Sequence, residues 1–84
     1  MKKYSAKIYI TLREGILDVQ GKTVEHALHS ISFDTLSDLK IGKFIRLTAQ
    51  AENINDARKL IDDACKQLIA NPIIEDYQID LEEI

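Results

Sequence analysis

The stretch whose residue types and spacing most suggest chemistry is "GILDVQGKT", residues 15–23. Two glycines, the second running into Lys22 and Thr23, outline a phosphate cradle. In such a cradle bare backbone N–H groups hold phosphate oxygens and the lysine reaches over them. The pattern asks for four residues between its glycines; here five intervene, and Ile16, Leu17 and Val19 among them are too bulky for a phosphate to approach the backbone closely. Asp18 weighs further against an anion. At a helix start its carboxylate occupies the free N–H groups and the positive dipole end that a phosphate would use. The stretch reads as a capped strand-to-helix connection.

The other reactive side chains resolve in the same way. His26 and His29 lie three apart on one helix, within reach of Lys22. A metal there would need third and fourth ligands with outer-shell support, and the sequence offers neither. Cys65 falls on an apolar stripe, the position of a packed rather than a reactive thiol. Asp62-Asp63, Glu75-Asp76 and Glu82-Glu83 read as solvated or edge-strand charges rather than acid/base couples. No serine or cysteine has an identifiable base partner. The residues point to no active site within this chain.

Length and charge narrow the classes. The 84 residues make one domain, residues 1–84, too short for a nucleotide hydrolase with a parallel sheet and its crossover helices. A net charge of −3 is the wrong sign for a general nucleic-acid binder. No run of about 18 apolar residues exists to span a membrane. "MKKYSAKIYI" lacks the apolar stretch and cleavage site of a signal peptide, and a lone cysteine agrees with a reducing cytoplasm. A chain this small buries only about 60% of its unfolded surface, so self-association is expected.

The elements that must position these residues follow from periodicity. In "KYSAKIYITLR" Tyr4, Ala6, Ile8, Ile10 and Leu12 alternate with polar neighbours, a strand. Val24, Ala27, Leu28 and Ile31 predict a helix over 19–31, capped by Asp18. Two strands should follow, "TLSDLKI" and "KFIRLTAQA", joined by a tight turn at Gly42-Lys43. A second helix starts at Asn53 or Asn55, carries Ala57, Leu60, Ile61, Ala64, Cys65 and Leu68 on its apolar stripe, and stops at Asn71-Pro72. "IIEDYQIDLEEI" supplies a last strand. The order β-α-β-β-α-β predicts an α+β fold of two layers, with two helices on one face of a four-stranded, mainly antiparallel sheet: the ferredoxin-like split βαβ plan.

Such a sheet keeps one face uncovered. Lys7, Tyr9, Thr11 and Arg13 should share it with Phe44, Arg46 and Thr48, a mixture of aromatic and polar groups typical of protein interfaces. An RNA platform also uses aromatics there, but its signature motif is absent. The element order also suits a small ligand-binding regulatory module of the ACT kind, which is the alternative reading.

Three stretches together resemble the PurS family, the small subunit of phosphoribosylformylglycinamidine (FGAM) synthase: "GILDVQGKTVEHAL" at 15–28, "GKFIRL" at 42–47 and "LIANPIIEDYQI" at 68–79. The family usually has proline where this chain has Val19; Asp18, Gln20, Gly21 and Lys22 follow its pattern. The resemblance implies a non-catalytic subunit in purine biosynthesis. It would bring a glutaminase subunit and a large ATP-dependent synthetase subunit together for ammonia transfer, as formylglycinamide ribonucleotide becomes its amidine. It further implies a homodimer or tetramer, with ATP and magnesium on the large subunit and no cofactor on this chain. The candidate contacts with partners or a second copy are Tyr9, Phe44 and Arg46 on the open face, Asp18, Gln20, Gly21 and Lys22 in the loop, and Asn71, Pro72, Glu75, Asp76 and Tyr77 near the last strand.

Overall fold

In the computed structural model, which describes residues 1–84, alternation in the first segment gives strand β1 (Lys2–Leu12). Tyr4, Ala6, Ile8 and Ile10 are almost wholly buried on one side of it. β2 (Lys43–Ala51) and β3 (Glu75–Glu83) pair antiparallel on either side, giving the order β2-β1-β3. The pairing sets Ile45 and Ile79 beside Ile8, and Leu47 and Leu81 beside Ala6. One continuous apolar face results, because side chains of paired residues project on the same side of a sheet. Helix α2 (Ile54–Ala64) covers that face with Ala57, Ile61 and, just beyond it, Cys65. Asn53 caps α2 by accepting the Asp56 N–H at 2.8 Å. The helix ends in a π-helical turn over Cys65–Ile69, where the Ala70 N–H reaches the Cys65 carbonyl at 2.9 Å.

The other helix departs from the expected plan. Helix α1 (Val19–Ser30) makes no substantial packing contact with any other helix or strand. It extends off the end of the sheet: eleven strand residues and twelve helical ones laid end to end span roughly 54 Å, and the molecule measures 52 Å along its long axis. The radius of gyration, 16.5 Å, exceeds the roughly 12 Å of a compact chain of this length.

The expected strand at "TLSDLKI" is also absent, so the sheet has three strands, and Gly42-Lys43 joins no hairpin. Residues 31–42 instead run back along α1 as a strap. The physical reason is that side chains at the cap of α1 and along it take the strap's backbone groups, two N–H and one carbonyl. Asp18 accepts the Gly21 N–H through Oδ1 and the Ile41 N–H through Oδ2, both at 2.8 Å. Glu25 Oε1 accepts the Leu39 N–H at 2.8 Å, and the His29 Nε2–H donates to the Leu36 carbonyl at 2.6 Å. Positive φ at Ser32 and Asp38 breaks the extended geometry that a strand would require. Gly21 lies where strap and helix cross. A Cβ there would stand 2.5 Å from Asp18 Oδ2 and 2.8 Å from the Leu39 carbonyl oxygen.

Gly21→Ala should therefore displace the strap and destabilise the arm by about 1–3 kcal/mol, read as faster hydrogen exchange at Leu39 and Ile41 with β1 unaffected. Acid should do the same reversibly. The Ile41 and Gly21 N–H groups hold the Asp18 carboxyl below its ordinary range, and the Leu39 N–H does so for Glu25. Both folded-state values lie under the unfolded ones. Their stabilisation is complete above the ordinary carboxylate range and is lost as pH falls through the lowered values. Amide protection at Leu39 and Ile41 should disappear below that range. Protection that survived full protonation would show that these carboxylates do not hold the strap.

Candidate functional site

Strand alternation puts Lys7, Tyr9 and Thr11 of β1 opposite the face that α2 covers, with Phe44, Arg46 and Thr48 of β2 beside them. Tyr9 is paired with Phe44 across the strands, ring centroids 5.3 Å apart and planes tilted by 42°. Both rings remain exposed, by 40% and 55%, so this aromatic pair is uncovered within the monomer. Arg46 lies opposite Lys7 and two residues from Phe44. β3 contributes Asp76, Gln78 and Asp80 to the same face. The open face is therefore cationic and aromatic along β2 and β1, and acidic along β3. The sequence reading also set Arg13 on this face, but β1 ends at Leu12 and Arg13 lies beyond it.

The loop and the last-strand segment, more than fifty residues apart in sequence, meet at the end of the sheet from which α1 departs. Leu17, Asp18, Val19 and Gln20 from one, and Glu75 from the other, line a groove of about 300 Å³ together with Ile10, Ile41 and Lys43. An ion pair between two of its lining residues, Lys43 and Glu75 at 3.3 Å, braces it; Arg13 pairs with Asp76 at the same distance outside it. Asp18 is engaged by the two backbone N–H groups already described, and Lys22 is exposed on α1's first turn. Gln20 is exposed beside it.

Most of the remaining candidates have structural employment. Asn71 shapes the turn before β3: its side chain accepts the Ile73 N–H at 3.1 Å, and its carbonyl accepts the Glu75 N–H at 2.8 Å. Glu75 returns a carboxylate oxygen to the Asn71 N–H at 2.7 Å, and that N–H holds its carboxyl below the ordinary carboxylate range. Pro72 is exposed at the turn. The Tyr77 hydroxyl donates to Asp62 Oδ1 at 2.5 Å, and Lys66 pairs with the other oxygen at 3.0 Å. That carboxylate pushes the Tyr77 phenol up to about 12, so it remains a donor at any physiological pH. The interaction pins β3 to α2, with Arg58 donating to the Ile79 carbonyl at 3.3 Å alongside it.

His26 and His29 do not gather further ligands; no group of three His, Cys, Asp or Glu is placed to hold a metal. Burial raises the Cys65 thiol, as for an inert packed cysteine. Sequence reasoning missed two features. Leu60 and Leu68, assigned to the buried stripe, are 54% and 87% exposed. The strap at 31–42 is likewise an arm component rather than a strand, for which the only sequence signal is the pair of carboxylates at 18 and 25.

With the geometry in place, comparison with known proteins becomes informative. The family model for PurS, described as phosphoribosylformylglycinamidine (FGAM) synthase, matches residues 5–83. The PurS subunit of that synthase from Bacillus subtilis is 41% identical over 81 residues, which cover 96% of this chain and 95% of the relative. Among solved structures, PurS of Methanocaldococcus jannaschii superposes with a TM-score of 0.87 at 33% identity, covering 96% of this chain and 98% of that one. A chain in the structure of PurLQS from Thermotoga maritima does so with a TM-score of 0.89 at 30% identity, over the whole of both chains. On a match that runs through nearly every residue, the strands, both helices and the strap included, this chain belongs to the PurS family.

Proposed function

We propose that the chain serves, as one folded unit of residues 1–84, as the small subunit of an FGAM synthase in purine biosynthesis. In this reading it is a cytoplasmic, self-associating scaffold. The glutaminase subunit releases ammonia, and the large subunit, holding ATP and magnesium, uses it to convert formylglycinamide ribonucleotide to the amidine. This chain contributes the surface that keeps the two in register, so that ammonia passes between them rather than escaping to water.

The observation that carries the reading beyond family membership is the uncovered sheet face. An exposed aromatic pair flanked by Arg46 and Lys7 on one side and by Asp76 and Asp80 on the other is composed like the core and rim of a protein interface. The faces of a rigid sheet also hold their side chains in fixed positions, which is what docking two larger bodies in register requires. The groove between residues 17–20 and Glu75 is a second contact candidate, since binding residues concentrate at element ends.

Reconstitution tests this. With purified large and glutaminase subunits, glutamine-dependent amidation should require this chain, while amidation from added ammonium should need it less. Equal glutamine-dependent turnover without the chain would refute the scaffold role. Arg46→Glu should cost at least roughly tenfold in that turnover, about 1.4 kcal/mol of docking energy, with the circular dichroism spectrum unchanged. An unaffected turnover would remove the open face from the contact.

A further inference from the structure

We propose that the outer edge of β3 accepts an extended segment of a partner subunit as a further strand of the sheet, and that the charges flanking this edge select a segment of alternating sign. The inference rests on the scaffold function above and specifies one place where a partner is held.

The backbone carries it. At either end of the β1–β3 ladder the Arg13 N–H donates to the Ile74 carbonyl and the Ile84 N–H to the Lys3 carbonyl. Bonded and non-bonded positions alternate in an antiparallel pair. Asp76, Gln78, Asp80 and Glu82 therefore turn their backbone groups to β1, and Tyr77, Ile79, Leu81 and Glu83 turn theirs outward. No backbone group of the chain meets that outward row. Within it only the Ile79 carbonyl has a partner, the Arg58 guanidinium at 3.3 Å, a long bond that an incoming N–H can replace. Free edges are normally blunted by proline, a bulge or lysine. β3 has none of these over nine residues of unbroken register. A cleft of about 600 Å³ follows the edge, between Asn55, Arg58 and Lys59 of α2 and Tyr77, Gln78 and Ile79 of β3. Gln78 belongs to the sheet face opposite Tyr77 and Ile79, so the cleft runs past the edge itself.

Charge identifies the occupant. On the α2 side of the edge Arg58 and Lys59 are exposed and pair with no carboxylate, since Asp62 is engaged by Lys66 and Tyr77. On the open side Asp80 and Glu82 are exposed and equally unpaired. A strand laid along the edge sends alternate side chains to these two sides. It matches when its carboxylates face Arg58 and Lys59 and its lysines or arginines face Asp80 and Glu82, because opposite charges on neighbouring strands stabilise and like charges destabilise. A second copy of β3 does not fit. Two such edges paired antiparallel about Ile79 set Asp76 against Glu82 and Glu75 against Glu83, and β3 holds no lysine or arginine to offset them. The edge repels its own kind and is left for a segment of a different chain.

Hydrogen exchange read residue by residue tests it. In the isolated protein the amides of Tyr77, Ile79, Leu81 and Glu83 should exchange fast, and those of Gln78, Asp80 and Glu82 slowly. In the complex with purified large and glutaminase subunits the outward set should slow by roughly tenfold or more, the protection of newly closed hydrogen bonds. Arg58→Glu with Lys59→Glu, which makes both sides of the edge acidic, should abolish that slowing and leave the circular dichroism spectrum unchanged. A short synthetic peptide in which lysine alternates with glutamate should slow the same amides in the isolated protein. A complex that forms with the outward amides still fast, or an outward set already slow in the isolated protein, would overturn the inference. If no complex forms, the scaffold reading fails and the peptide alone decides the edge: slowing confined to the outward amides sustains it, and no slowing overturns it.

Discussion

The Asp18 carboxylate lies at the junction on which the shape of this molecule depends. One oxygen satisfies an N–H at the start of α1, as a helix cap does, and the other holds the backbone N–H of Ile41, twenty-three residues later, at the return into β2. A single side chain therefore fixes where the arm leaves the sheet and where its strap comes back. Charge-assisted hydrogen bonds of this kind are stronger than neutral ones, and both of these have a well-directed 2.8 Å geometry. Val19 follows directly as the first helical residue, a place where proline would be pre-organised. In this chain the orientation of the helix start is set by the Asp18 hydrogen bonds instead.

The junction matters because the rest of the core is small. Ten buried apolar residues, five of them alanine or isoleucine from β1 and β2, and Gly21 are all that the monomer closes off from water. β1 is the only strand with neighbours on both sides, and its four buried side chains are shared by everything that packs against the sheet. The Tyr77–Asp62–Lys66 set secures α2 to β3 at one flank, and the other flank, over Ile45 and Leu47, is left half-open. A chain with so much exposed apolar surface and so extended a shape buries little within its own fold.

The same economy is visible in the side chains that could carry charge or react. Four of its carboxylates are turned to backbone N–H groups (Asp18, Glu25, Glu75) or to a phenol (Asp62), and its thiol is packed away. These are arrangements that fix position. What is left free is surface: the Tyr9–Phe44 pair, the groove at the sheet's end and the apolar sides of α1 and α2.

The sequence by itself determined the elements whose pattern is local. Period-two alternation located β1 and the buried face of all three strands, Asp18 marked the first helix start and Asn53 or Asn55 the second, and the 15–28, 42–47 and 68–79 stretches carried the family. It could not determine the strand predicted at 35–41, because apolar alternation there is equally served by a strap. The deciding interactions, from Asp18 to Ile41 and from Glu25 to Leu39, join residues fourteen to twenty-three apart. Leu60 and Leu68 read as core for a related reason: a helical stripe shows which side is apolar but not how much of it the same chain covers. Only tertiary structure decided that α1 stands away from its own sheet. Burial depends on what lies opposite a surface, and for this helix its own monomer supplies only the strap.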